Sequence, residues 1–228
     1  SGLVNDWYWS ISPSTFSFVG GTTDSSENPQ VIFNSSGAYS ISLTVSNTYG
    51  SDDTTMNDII TVGGASLPFF DDFENGVSSW TINNPDGGNT WVSTGVNGQQ
   101  PGTNAIFVDH YNYSGANGEI DELISPTLSF DGKDSIEFTF DYSSSYWDNS
   151  YYDSLKIYVS EDCGSTWDLV AAYDTRDANF TTAGAVTSSF TPSGASQWCY
   201  ASTSVACPTI DLQSYAGKNG VQIKFAAV

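Results

Sequence analysis

Apolar and polar residues alternate singly along much of this chain, a period of two that predicts strands. In AYSISLTVS, Tyr39, Ile41, Leu43 and Val45 fall on one face, with Ser40, Ser42, Thr44 and Ser46 on the other. The same rhythm runs through Ile136, Phe138, Phe140 and Tyr142, through Leu155, Ile157 and Val159, and through Val221, Ile223 and Phe225. Clusters of Gly, Asn, Asp, Ser and Pro separate these runs, as antiparallel hairpins and Greek-key loops require. No stretch carries a 3.6-residue apolar period, so the expected fold class is all-β. The pattern breaks once, after the strand DIITV ends at Val62, where Gly63, Gly64, Ala65 and Ser66 read as a short flexible joint. This predicts one unit over residues 1–62, a linker at 63–66 and a second unit over 67–228. The first is short for an immunoglobulin-like sandwich of about 100 residues.

Charge narrows the function. The chain has 228 residues, with 26 acidic against 5 basic, for a net charge of −21. Phosphate binding needs clustered Lys and Arg, so nucleic acid is excluded as a partner, and anionic membrane surfaces with it. No apolar run reaches the roughly 18 residues of a membrane span, so no membrane insertion is expected. Aromatic residues make up 14% of the chain, too many for a disordered acidic tail. A folded, lysine-poor polyanion suits a secreted or cell-surface location, where divalent cations relieve self-repulsion. No signal peptide is present and the opening SGLVNDWYW reads as the interior of something longer, so a fragment of a larger precursor is expected.

Three stretches of the first unit, WYWSISP, NPQVIFNSSGAYSISLTVSNTYGSDDTT and the closing DIITV, resemble a PKD domain, an immunoglobulin-like module of secreted bacterial proteins. The family's opening strand is missing and its W-x-F-G-D-G appears here as WSISPST, so an N-terminally incomplete sandwich is expected. The second unit resembles the MAM-like jelly rolls of secreted Bacteroidota proteins, of the choice-of-anchor J and cleaved-adhesin type. That resemblance rests on FFDDFENGVSSWTINNPDGGNTW, on residues 121–167 and on IDLQSYAGKNGVQIKFAAV. The family continues into a further hairpin, so a C-terminally incomplete jelly roll is expected, with the missing piece pairing beside VQIKFAAV. The resemblance implies a non-catalytic, calcium-stabilised binding or adhesion region of a larger protein exported by the type IX route. Its partners would be an extracellular protein or glycan, with segments from elsewhere completing both sheets. It also admits the accessory region of a secreted zinc metallopeptidase whose catalytic domain lies outside this chain, or a carbohydrate-binding module.

Residues 69–76, FFDDFENG, place Asp71, Asp72 and Glu74 among three phenylalanines. In the jelly rolls this unit resembles, an acid at this point helps to bind structural calcium, which implies Glu74 and Asp72 as ligands. Calcium takes six to eight oxygens, and a jelly roll gathers them from separate loops. The implied partners are Asp86 and Asn89 in NPDGGNTW, Asp109 in VDHY and Asp121 in GEIDELISP. Phe70 and Phe73 would then pack inward. The alternative is a solvated acidic edge that discourages edge-to-edge pairing. A second acidic-aromatic run, YWDNSYYDSL, sets Asp148 and Asp153 among Tyr146, Trp147, Tyr151 and Tyr152. Aromatic planes with carboxylates beside them suit a sugar-binding face, with Trp147, Tyr151 and Asp148 as the contacts. They also suit an ordinary wet loop.

Catalytic patterns fail one by one. EIDELI imitates the catalytic strand of jelly-roll β-glucanases through Glu119 and Asp121, but Leu123 and Ile124 stand where the second Glu belongs. Glu122 points to the opposite face from Glu119, so a retaining pair of carboxylates is not formed. His110 is the single histidine, which excludes H-E-x-x-H, and no G-x-S-x-G is present. Among the cysteines, Cys199 and Cys207 close a short loop and are expected to pair. Cys163 follows two acids, the reverse of the basic surroundings that activate a thiolate, and is expected to be free and buried. DTT at 53–55, DSI at 134–136 and DSL at 153–155 match a loose bacterial O-glycosylation triplet. Asn34, Asn112 and Asn179 head N-x-S/T triplets.

Overall fold

The computed structural model describes residues 3–34, 37–98, 102–113, 118–148, 150–151, 153–202 and 205–228. Among them every regular element is a strand, apart from four single-turn 3-10 segments. The chain divides into two compact units, Ser1–Gly64 and Ala65–Val228.

The first unit holds β1 (Asp6–Ser12), β2 (Phe16–Val19), β3 (Gln30–Phe33), β4 (Gly37–Asn47) and β5 (Gly50–Val62). β1, β4 and β5 form one antiparallel sheet with β4 in the centre, and the β2–β3 hairpin forms a second. Register explains the alternation: Trp7, Trp9 and Ile11 stand opposite Val45, Leu43 and Ile41 on one face, and Tyr8 and Ser10 opposite Thr44 and Ser42 on the other. Tyr39 is fully buried and is the hinge between the layers. Its ring packs on Phe33 at 4.5 Å, and its hydroxyl donates to the Thr15 carbonyl at 3.0 Å. Trp9 is pinned in the same way, its indole N–H donating to the Ser26 carbonyl at 2.9 Å. β5 lies at an edge and carries Asp52 and Asp53, charges that oppose pairing with another chain.

The second unit continues with β6 (Ala65–Ser66), β7 (Thr81–Asn83), β8 (Val92–Gly95), β9 (Asn104–Phe107), β10 (Asp121–Ile124) and β11 (Leu128–Ser129). After these come β12 (Glu137–Thr139), β13 (Ser154–Ser160), β14 (Asp168–Asp174), β15 (Thr209–Asp211) and β16 (Asn219–Ala227). The main sheet runs β14-β13-β16-β10-β7, with β11 also on β16 and β6 parallel to β11. Ala65 and Ser66, expected within a flexible joint, are therefore ladder residues of the second unit. β12–β15 and β8–β9 form two separate ribbons. The core lies between the main sheet and the β12–β15 ribbon: Ile157, Val159, Val221 and Ile223 from one side meet Ile136, Ile210 and Leu212 from the other. Phe138 and Phe140 close on Phe225 at 5.7 and 5.2 Å.

β16 is flanked by β13 on one edge and β10 on the other. The position beside VQIKFAAV expected for a further strand is filled, because the chain folds Asp121–Ile124 back into it. A smaller aromatic cluster sits beyond β13. Phe180 is pressed between Tyr142 at 4.1 Å and Tyr173 at 4.6 Å, all three rings nearly parallel. Beside this stack Cys199 and Cys207 are bridged. Cys163 is free, as expected, but exposed rather than buried. It sits in the β13–β14 turn with φ 57°, its N–H donating to the Gly220 carbonyl at 3.1 Å.

Candidate functional site

The acids of FFDDFENG are turn-makers. Asp71 accepts from the Phe73 N–H at 2.9 Å and the Trp80 indole at 2.8 Å, and Asp72 accepts from the Glu74 N–H at 3.1 Å. These bonds bend the chain so that Phe73, at φ 59°, lands on Trp80 at 5.3 Å. The residues packed inward are Phe69 and Phe73. Phe70 is 71% exposed, contrary to expectation, because the extended chain leading into the turn sends alternate side chains to opposite sides. Glu74 reaches across to the start of β9. Its Oε1 accepts from the N–H groups of Thr103 and Asn104 at 2.6 and 2.7 Å, and its Oε2 from their side chains at 3.3 and 3.2 Å. The Thr103 and Asn104 amides hold its carboxyl below the usual range. The four acceptor positions of the carboxylate are thus taken.

The six residues expected to surround one calcium ion do not form one shell. Glu74 is bonded at the beginning of β9, Asp72 is spent within its own turn, and Asp109 lies past the end of β9. The four-residue strand between Glu74 and Asp109, at roughly 3.3 Å per residue, holds them more than about 10 Å apart, over twice the span of two ligands on one calcium. The other four fall into two pairs, Asp86 and Asp121 about Tyr113 and Asn89 at the Asp109 backbone. Asp86 accepts from the Gly88 N–H at 2.9 Å and from the Tyr113 hydroxyl at 2.7 Å. The Gly88 amide, then the phenol, hold its carboxyl below the usual range. Asp86 first, then burial and the charge of Asp121, keep the Tyr113 phenol protonated far above its ordinary range. The Asn89 amide lies 3.4 Å from the Asp109 carbonyl, and Asp109 Oδ2 accepts from Asn112 and Ser189. Asp121 projects from the end of β10, 1% exposed, and its Oδ1 has no hydrogen-bond partner among the described residues. Its backbone carbonyl takes the Trp91 indole N–H at 2.9 Å.

Among the described residues, three potential metal-binding atoms of Asp, Glu, His or Cys come within 4.8 Å of one another only at Asp141, Cys199 and Cys207. The two sulfurs are committed to their disulfide. Any metal at the Asp86–Asp121 corner would therefore draw on amide and backbone oxygens as well as carboxylates, which is the donor set calcium accepts.

Next to this corner stands an exposed aromatic pair. The 3-10 turn His110–Asn112 carries Tyr111, whose ring stacks on Trp147 at 5.2 Å and 18°. Tyr111 is 48% and Trp147 41% exposed. Tyr151 is 70% exposed, and a turn in which Asp148 Oδ1 accepts from the N–H groups of Ser150 and Tyr151 holds it near Trp147. His110 Nδ1 lies 3.1 Å from Asp153 Oδ1, which ties the turn to the start of β13. Tyr152 lies outside the described residues. Sequence reasoning missed Tyr111: an aromatic in the polar run VDHYNYS was the available signal, but its partner is 36 positions away.

Two further constellations escaped the sequence reading. Lys224, on the supposedly polar face of β16, is 8% exposed. Its ammonium lies 2.6 Å from Glu122, 4.3 Å from the centre of the Trp167 ring and 4.9 Å from that of Tyr158. In the β13–β14 turn, Asp162 accepts from Ser160 Oγ at 2.8 Å and from the N–H and hydroxyl of Thr166 at 2.8 and 2.7 Å. Thr166 first, and Ser160 with it, hold this carboxyl down to about 2. Glu122, the acid nearest to a glycosidase partner, is consumed by Lys224 and by Asn83 at 2.7 Å.

The first unit is a two-layer sandwich with a Trp-rich first strand and a long β4–β5 hairpin. Residues 3–59 match the PKD domain family. PKD domains are extracellular, adhesion-type modules without a catalytic centre. The PKD segment spans the five strands of the first unit up to Ile59 and stops short of the second. No curated protein and no solved structure matches the chain. No helix among the described residues is long and apolar enough to cross a membrane.

Proposed function

We propose that this chain is a non-catalytic binding region of a larger secreted or cell-surface protein, in which a PKD module precedes a calcium-stabilised β-sandwich that carries the binding patch. The observation that carries the reading is the exposed Tyr111–Trp147 stack with Tyr151 beside it. Large rings left in water at loop tips mark surfaces that meet a partner. His110–Asp153 ties the Tyr111 side of the patch to the start of β13, and the Asp148 turn shapes the segment that carries Tyr151. The experiment is binding of the full chain to immobilised extracellular proteins and glycans, with Trp147→Ala and Tyr151→Ala as the discriminating variants. Partner binding insensitive to both would refute the patch.

Calcium belongs to this reading through Asp121. A buried carboxylate oxygen without a donor is costly, and a cation relieves it. Asp86 shares Tyr113 with Asp121, and turning over the Asn89 amide would present its oxygen beside the Asp109 carbonyl. These residues would hold the ion, which would supply charge neutralisation and loop cross-linking rather than chemistry. At about a hundredfold excess over Kd, binding to the native state alone adds about 2.7 kcal/mol. Melting in millimolar calcium should exceed melting in EDTA for the wild type and not for Asp121→Asn. An unchanged wild-type midpoint would overturn the metal.

A further inference from the structure

We infer that the Tyr111–Trp147 patch docks the cationic side chains of a basic polypeptide, an inference that rests on the binding reading above and names its partner class. The rings and the carboxylates of Asp148 and Asp153 lie together: Asp148 follows Trp147 in the chain, and Asp153 holds the histidine adjacent to Tyr111. An aromatic face is electron-rich and attracts ammonium and guanidinium groups, most of all when a carboxylate shares the cation. A net charge of −21 then steers a basic partner toward the chain and repels an acidic one, while contributing nothing to a neutral sugar.

The molecule contains this chemistry in completed form. Lys224 lies over Trp167 and Tyr158 with Glu122 at 2.6 Å, so this unit already holds one ammonium with a tryptophan, a tyrosine and a carboxylate. The exposed patch presents the same three kinds of group to solvent. Three of the chain's five cations are engaged elsewhere, Arg176 with Asp174, Lys218 with Glu161 and Lys224 with Glu122. With 26 acidic residues against 5 basic ones, the cation for such a patch comes from another polypeptide.

The test titrates the full chain with a peptide of alternating Arg and Gly, with the same peptide carrying citrulline for arginine, and with a panel of neutral oligosaccharides. The arginine peptide should bind, its affinity falling as NaCl rises from about 50 to about 300 mM. The citrulline peptide should bind about tenfold more weakly. Trp147→Ala should weaken the arginine peptide by a similar factor, and Asp148→Asn, which keeps the turn's acceptor and removes its charge, severalfold. If Trp147→Ala lowers the melting point, Tyr151→Ala, at a side chain 70% exposed, gives the same reading without that complication. Replacing Asp52 and Asp53 of the PKD segment by Asn should change nothing; an equal loss there would reduce the effect to diffuse charge and overturn the inference. Trp147-dependent binding of an oligosaccharide without the arginine peptide would also overturn it while leaving the binding reading intact. Binding of neither probe that depends on Trp147 or Tyr151 would remove both.

Discussion

Replacing Lys224 by Met tests the least expected feature of the second unit, a lysine sealed on the outer face of the central strand. Methionine keeps the apolar length of the stem, so packing on Trp167 and Tyr158 is nearly conserved and the ammonium alone is lost. An exposed ion pair would contribute about 0–1 kcal/mol, whereas removing one partner of a fully buried pair costs about 3–5 kcal/mol. The Lys224 and Glu122 side chains are 10% and 20% exposed, close to the buried limit. Glu122 would be left with Asn83 as its hydrogen-bond donor. Loss of the cation–ring attraction adds about 0.5–2 kcal/mol, offset by cheaper burial of a thioether. The expected cost is about 2–4 kcal/mol, or roughly 5–15 °C in the melting of a unit this size. Calorimetry resolves it, since the PKD unit supplies an internal reference. Glu122→Gln should cost less, about 1–2 kcal/mol, because the rings still hold the ammonium. The double variant should lose at least about 1 kcal/mol less than the sum of the singles. A Lys224→Met protein within about 0.5 kcal/mol of wild type, or strictly additive singles, would refute the account. Burial pushes the Glu122 carboxyl up, but the bonds from Lys224 and Asn83 outweigh it and hold it below its ordinary value. Its contribution is therefore complete above the ordinary glutamate range and is lost as the pH falls through the lowered one.

Asp162→Asn should lower the melting point of the second unit at neutral pH. The difference from wild type should vanish between about pH 4 and about 2, because a carboxyl held down to about 2 stabilises only while ionised; a pH series of melting curves checks it. Cys199→Ala with Cys207→Ala should destabilise by about 2–3 kcal/mol, the chain-entropy value for so short a loop, measured by urea titration. Native iodoacetamide should label one cysteine, Cys163, and a digest that finds it unlabelled until denaturation would contradict its exposure. Glu74→Ala should lower the melting point equally in calcium and in EDTA, since its carboxylate is spent on Thr103 and Asn104.

Periodicity carried the strands well where a ladder has one wet face and one dry one. Trp7, Trp9 and Ile11 opposite Val45, Leu43 and Ile41 are what alternation predicts, and so are Ile157 and Val159 opposite Phe225 and Ile223. It failed where a polar residue is buried through its partners. Nothing local in VQIKF distinguishes Lys224 from a solvated lysine, since Trp167 and Glu122 are 57 and 102 positions away. SIEFTFDY alternates throughout, yet only Glu137–Thr139 is strand, since its partner β15 pairs with those three residues alone. For the acids, residue type was legible and grouping was not. Asp86 and Asp121 share Tyr113 and Asn89 reaches the Asp109 backbone, while Glu74 is drawn off by two backbone amides thirty residues downstream, a bond that leaves no trace in composition or spacing.

The three parallel rings at Tyr142, Phe180 and Tyr173 bear on how this unit moves. A phenyl ring turns over by sweeping out a disc at right angles to its own plane. Phe180, with neighbours at 4.1 and 4.6 Å on its two faces, has no room for that sweep. Each half-turn must wait until both tyrosines draw back together, and Tyr142 is held by its own hydroxyl bond to the Phe180 carbonyl at 2.7 Å. The flip rate of Phe180, read from the exchange of its two edges in a ring-labelled nuclear magnetic resonance spectrum, is therefore a clock for the breathing of the β13–β14 end of the core, set well apart from the picosecond-to-nanosecond rotations of exposed rings such as Tyr151.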